Sequence, residues 1–155
     1  MIMIRGLVLF VLMISVCEQA PAQVTDLRAH VVYTEAVWVS GLGIGTINYD
    51  VRFEDRTHGL GIRVGAGMLS GSGNTLAFPL ALNALFGDAG HTFEAAMGVT
   101  LFSRTGSKIG TAWVPSASYR YQPFQSGLMF RASASPFISS GGVLFGGGIS
   151  MGYRL

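Results

Sequence analysis

Between Ile44 and Met68 the chain carries two runs of alternating residues joined by a polar stretch. In the first run Ile47, Tyr49, Val51 and Phe53 share one face, and Asn48, Asp50, Arg52 and Glu54 share the other. In the second, Leu60, Ile62, Val64, Ala66 and Met68 oppose Gly59, Gly61, Arg63, Gly65 and Gly67. A period of two is the signature of extended strands, because only a strand sends successive side chains to opposite faces. One face is apolar from end to end, while the other mixes charge with glycine. A soluble sheet would bury the apolar face beneath a helix or a second sheet. No window beyond residue 22 has helical periodicity, so the apolar face needs another neighbour.

The pattern recurs along the chain, punctuated by clusters of small and polar residues that form turns. It predicts strands over Arg28–Trp38, Ile44–Glu54, Gly59–Leu69, Thr75–Phe86, His91–Phe102, Ile109–Gln122, Gly127–Ile138 and Val143–Leu155. The first of these alternates poorly. Pro79 and Pro115 fall inside predicted strands, where a residue without an N–H is expected at a bulge or a misplaced boundary. Eight strands of this length can each cross a bilayer when tilted. A bilayer admits only helices and closed barrels, since an open sheet edge would leave backbone groups unpaired in hydrocarbon. The expected fold is therefore all-β, an eight-stranded antiparallel up-and-down transmembrane β-barrel, with both chain ends on one side.

Composition agrees. Charged residues are 12% of the chain against about a quarter in soluble domains, and half the residues are hydrophobic. The net charge of +2 offers no basic stripe for nucleic acid. A soluble sandwich or lipocalin-like barrel would leave a glycine-rich outer face with few charges. Residues 1–22 read as a secretory signal peptide: Arg5, an apolar run from Leu7 to Val16, then small residues in Ala20-Pro21-Ala22. That leaves residues 23–155 as the barrel. Cys17, the only cysteine, lies inside the signal. Lipid attachment at Cys17 is the alternative, disfavoured by bulky Val16. Neither a disulfide framework nor a thiolate metal site is expected.

Parity places Glu35, Asp50, Arg52, Glu54, Arg63, Glu94, Arg120, Arg131 and Arg154 in the lumen, with Asn48 and Asn83. Unpaired charges in a narrow interior are costly, so acids and arginines should neutralise one another there. Arginine suits the task because its planar fork can bond carboxylates at two points. Inward glycines leave room for these side chains. The resulting expectation is a structural charge network that packs the lumen, with a narrow conduit or small-molecule site as the alternative.

Other motifs carry little. Gly41-x-Gly43-x-Gly45 and Gly59-x-Gly61 lack the helix and lysine of a phosphate loop. Gly148-x-Ser150-x-Gly152 matches the nucleophile-elbow string but lies mid-strand rather than at a strand-to-helix turn. His30, His58 and His91 have no metal-ligand spacing, and no cofactor is expected. Trp38, Trp113, Tyr119, Tyr121 and Tyr153 suit interfacial girdles.

From Asn48 onward the chain resembles a family of small, mostly uncharacterised outer-membrane β-barrel proteins of Bacteroidetes-type bacteria. The resemblance rests on Asn48-Tyr49-Asp50-x-Arg52-Phe53, Gly59-Leu60-Gly61-x-Arg63-x-Gly65, Pro79-x-x-Leu82-Asn83 and Phe93-Glu94. It continues through Tyr119-Arg120-Tyr121-Gln122-Pro123, Phe130-Arg131 and Gly148-x-Ser150-x-Gly152-Tyr153. It implies an outer-membrane barrel and brings no activity. Val143 to Leu155 also resembles the signal read by the barrel-assembly machinery, although Leu155 replaces the usual terminal phenylalanine.

The sequence thus leads to a small outer-membrane barrel, exported by its signal and held as a monomer among membrane lipids. A structural or envelope-interaction role is expected, and not an enzymatic one. The alternatives are a lipid-modifying enzyme of the outer leaflet and a narrow pore.

Overall fold

The computed structural model describes residues 30–53, 59–71, 75–88, 90–104, 109–123 and 127–155. The alternating runs form β1 (His30–Val39), β2 (Leu42–Arg52), β3 (Gly59–Leu69), β4 (Thr75–Asp88) and β5 (His91–Arg104). They continue as β6 (Gly110–Trp113), β7 (Ser116–Tyr121), β8 (Leu128–Ser139) and β9 (Gly142–Arg154). β6 and β7 are two halves of one stave, since β5 pairs Val99 with Trp113 and Ala96 with Ser116 in unbroken register. Each stave bonds to its neighbours in antiparallel fashion, β9 pairs with β1, and the sheet closes as an eight-stranded barrel. Closure matters physically because it leaves no edge.

The register fixes the barrel's shape. Val32 pairs with Tyr49, which pairs with Val64, and the same line continues through Leu80, Val99, Trp113 and Ile138 to Val143. Val32's own partner on β9 is Tyr153, ten residues from Val143. For eight strands, that stagger corresponds to a tilt of about 40° and a backbone radius of about 8 Å. Such an interior is narrow enough for side chains to fill.

Connections are short at both ends. Residues 40–41, 70–74, 105–109 and 140–141 link strands at the end away from the termini, and 53–58, 89–90 and 122–127 at the other. Ser40 and Gly41 both have positive φ, at 47° and 86°, as a two-residue turn matched to strand twist requires.

Several boundaries differ from the sequence expectation. β1 runs to Val39, and β2 begins at Leu42 rather than Ile44. β4 and β5 extend to Asp88 and Arg104. The expected signal peptide and the start of the predicted first strand lie outside the described residues, as does Glu54. Neither proline sits at a bulge. Val64 pairs with Leu80 and Gly67 with Ala77, so the register passes Pro79 unchanged while its bonds to β3 lapse. Gly65, opposite, makes this possible, because a Cβ there would approach Pro79 Cγ to 2.9 Å. At Pro115 the ladder breaks between β6 and β7, yet the Val114 N–H still donates in register to Gly98 O at 2.8 Å.

The partition of side chains is the membrane one. Tyr49 and Val64 are 38% and 44% exposed on the outer wall, whereas Arg52 and Arg63 are 2% and 6% exposed inside. Leucine, phenylalanine, isoleucine and methionine cover the exterior from β2 to β9. In water such an exterior would aggregate; in hydrocarbon it is the stable arrangement.

Candidate functional site

Reading inward-facing positions from the terminus-bearing end, several staves repeat one order. On β1 it is Val31 and Tyr33, then Glu35, then Val37 and Val39. On β8 it is Met129, Arg131, Ser133, Ser135 and Phe137. β2, running the other way, ends with Asp50 and Arg52 at the charged level and begins with Ile44 at the far end. The lumen is therefore layered: a charged band towards the termini, small polar residues above it, and an apolar plug at the opposite mouth.

The charged band is one connected network. Arg52 donates to Asp50, to Asn83 Oδ1 at 2.7 Å and to Gly59 O at 3.1 Å. The Arg120 Nη2 bridges two acids, at 2.6 Å from Asp50 Oδ2 and 2.6 Å from Glu94 Oε2. Glu94 also accepts from Arg63 and, at 2.9 Å, from Arg131. Arg131 reaches on to Glu35, which Ser133 also contacts at 3.4 Å. Glu94 is the hub, with three guanidiniums around one carboxylate. Paired charges of this kind survive burial only because nearly every carboxylate oxygen has a donor.

Space for the network comes from glycine. A Cβ on Gly61 would lie 2.5 Å from Arg52 Cζ, so a side chain there would displace the guanidinium. Tyr33 adds a second kind of contact. Its ring faces Arg131 at 5.1 Å and Arg63 at 5.9 Å, distances at which the π face attracts a cation.

Of the residues placed inside by parity, Glu35, Asp50, Arg52, Arg63, Glu94, Arg120 and Arg131 meet in this network, joined by Asn83. Arg154 is partly buried near the terminus-bearing mouth, and Glu54 is outside the described residues. Asn48 is buried but bonds to Thr46 Oγ1 at 2.7 Å, apart from the acids. Sequence reasoning missed Tyr33 and the whole apolar plug. The plug is Val39, Ile44 and Ala77, with Val37, Leu69, Phe102 and Phe137 packed against it. Its signal was the poor alternation of β1, where both faces are apolar: Val31, Val37 and Val39 inward, Val32 and Trp38 outward.

A cavity of about 60 Å³ lies between plug and network, lined by Glu35, Thr46, Arg63, Thr100, Ser116 and Arg131 among others. On the outer wall, Tyr121 and Trp113 stand on one stave with Tyr121 nearer the termini, a separation of about 20 Å along the axis. Tyr153 and Phe145 repeat that spacing on β9. His30 shares a hydrogen bond with Tyr49, and His91 with Tyr119, on the lipid-facing side near the termini. Such rings suit a headgroup interface. Among the described residues, no three His, Cys, Asp or Glu side chains gather in a way that could hold a metal ion.

No family model matches the chain, and no curated protein matches it. Solved structures do. The N-terminal β-barrel domain of Pseudomonas aeruginosa OprF superposes with a TM-score of 0.64 at 13% identity, covering 82% of this chain and 97% of that one. The Yersinia pestis outer membrane protein Ail, in a phospholipid bilayer nanodisc, gives 0.56 at 10% identity, covering 83% and 99%. At such identities the likeness establishes a shared barrel fold.

Proposed function

We propose that this chain is a small outer-membrane protein whose closed barrel serves a structural or envelope-interaction role. The observation that carries this reading is the obstructed lumen: a salt-linked band crosses it near one end and an apolar plug fills the other. Short connections at the end away from the termini offer little surface for a large ligand. Contact with lipid or another envelope protein would then run through the barrel wall. Export by residues 1–22, recognition of β9 by the barrel-assembly machinery and kinship with Bacteroidetes-type small barrels belong to the same proposal. β9 fits that recognition by its alternating Phe145, Ile149, Met151 and Tyr153, and by forming the closing seam with β1.

Recording from planar bilayers tests the obstruction. The protein should insert without stepwise channels, because opening one would require both the ionic band and the plug to part. Regular unitary steps from purified protein would make the narrow pore the better reading.

A further inference from the structure

At one seam of the wall the backbone cannot complete its own ladder. Between β7 and β8 pairing runs from Tyr121–Phe130 to Ala117–Ala134, and it returns only at Trp113–Ile138, between β6 and β8. The register in between sets Pro115 opposite Pro136. The Val114 N–H turns to Gly98 on β5, and β8 meets β9 in a two-residue turn after Ser139, so strand alternation aims the peptide N and O of both prolines at this seam. Such a pair should exchange two N–H···O bonds, and here neither residue has an N–H to give. Both carbonyls thus lack a backbone donor opposite them. At membrane depth that is costly unless another donor arrives. The lapse at Pro79 differs, since Gly65 opposite it keeps an N–H. The residues flanking the two prolines, Val114, Ser116, Ser135 and Phe137, all line the 60 Å³ cavity, so the unzipped stretch lies directly over it.

We propose that this seam is a lateral slot for a bilayer amphiphile, an acyl chain that carries a hydroxyl or amide donor near its head. The donor meets the carbonyls of Pro115 and Pro136. The chain lies outside against Ala117 and Ala134, whose small side chains leave the wall low beside the seam. Depth favours this ligand: the prolines stand about 5 Å nearer the bilayer centre than Trp113, just beneath the headgroups. A phospholipid ester, having only acceptors, gains nothing from two carbonyls. Parting the seam there breaks no ladder bond, so the slot also leads from the hydrocarbon to the hydroxyls of Ser116 and Ser135. The slot rests on the reading of the wall as a lipid contact, which would stand without it.

The test places single cysteines in a Cys17→Ala protein folded into phosphatidylcholine vesicles, with N-dodecylmaleimide as a reagent held in the hydrocarbon. Leu80→Cys, on the outer wall, should react, and Ser118→Cys, inside behind a bonded ladder, should not. Ser116→Cys, inside at the seam, should react as well. Adding Pro115→Val and Pro136→Val restores two hydrogen bonds and should slow that reaction about tenfold or more. Dodecanol should protect Ser116→Cys, and dodecyl methyl ether, which has no donor, should not. An inert Ser116→Cys beside a reactive Leu80→Cys overturns the slot and leaves the lipid contact standing. An inert Leu80→Cys would overturn both. Ser118→Cys reacting as fast as Ser116→Cys, rates indifferent to the prolines, or equal protection by alcohol and ether would each overturn the proposal too. Should the doubly restored protein fail to fold, Pro136→Val alone, which returns one bond, gives the comparison.

Discussion

Replacing Glu94 by glutamine is expected to destabilise the barrel more than any other single change of equal size. Arg63, Arg120 and Arg131 all donate to this carboxylate. Glutamine keeps the shape but turns an amide NH₂ towards at least one guanidinium and removes the only charge that faces all three. Breaking a buried pair by deleting one partner costs about 3–5 kcal/mol, because the remaining charge is left uncompensated. That is a large share of the stability a domain of this size has. The urea midpoint should fall accordingly, and the fraction resisting a shift to the unfolded gel position without boiling should drop. Removing Arg63 as well, in Glu94→Gln/Arg63→Gln, should recover part of the loss, since Arg63 directs its only ion pair at Glu94 among the described residues. A Glu94→Gln protein as stable as the parent would show that the band does not hold the barrel together.

The second large effect concerns the wall. Val64 sits near the middle of β3, outward, between Tyr49 and Leu80. On a lipid-facing position at the bilayer midplane, arginine costs about 2–4 kcal/mol, falling towards zero at the interfaces. Val64→Arg should therefore lower stability in vesicles by an amount in that range, whereas arginine at Leu60, nearer the end of the same strand, should cost much less. A soluble barrel would tolerate both, since an exposed surface substitution is usually worth under about 0.5 kcal/mol. Matching small effects at the two positions would argue that hydrocarbon does not contact this wall.

How much of this was legible beforehand depends on which faces were contrasted. The alternation alone predicts β3 with its observed ends, Gly59 to Leu69, because glycine and arginine on one side and Leu60, Ile62 and Val64 on the other leave no second interpretation. β1 was obscure for the opposite reason, since near the plug the lumen is as apolar as the lipid side. Pro79 misled because absence of an N–H signals a lost bond, not a lost register, whereas Pro115 does mark a boundary, between β6 and β7. At Pro79 the missing bonds are absorbed opposite Gly65, and at Pro115 the stave pauses and resumes. Which acid meets which arginine was beyond the sequence altogether. Glu35 and Arg131 are 96 residues apart, and only the ten-residue stagger of the closed sheet brings β1 and β8 into reach across β9. The cavity is a consequence of the same stagger, which brings residues of seven staves, from β1 to β8, to one level.

β4 offers the most direct check on the sidedness of the wall. Cys17 is the chain's only cysteine, so single cysteines can be introduced at Ala77, Phe78, Leu80, Ala81 and Leu82 of a Cys17→Ala protein and spin-labelled in bilayers. Phe78, Leu80 and Leu82 point outwards, and Ala77 and Ala81 inwards. Labels at 78, 80 and 82 should collide freely with dissolved oxygen and rarely with a water-soluble nickel chelate, while labels at 77 and 81 should be shielded from both. Oxygen accessibility peaking at 77 and 81 instead, or chelate access at 78, 80 and 82, would contradict a barrel with lipid outside and ions within.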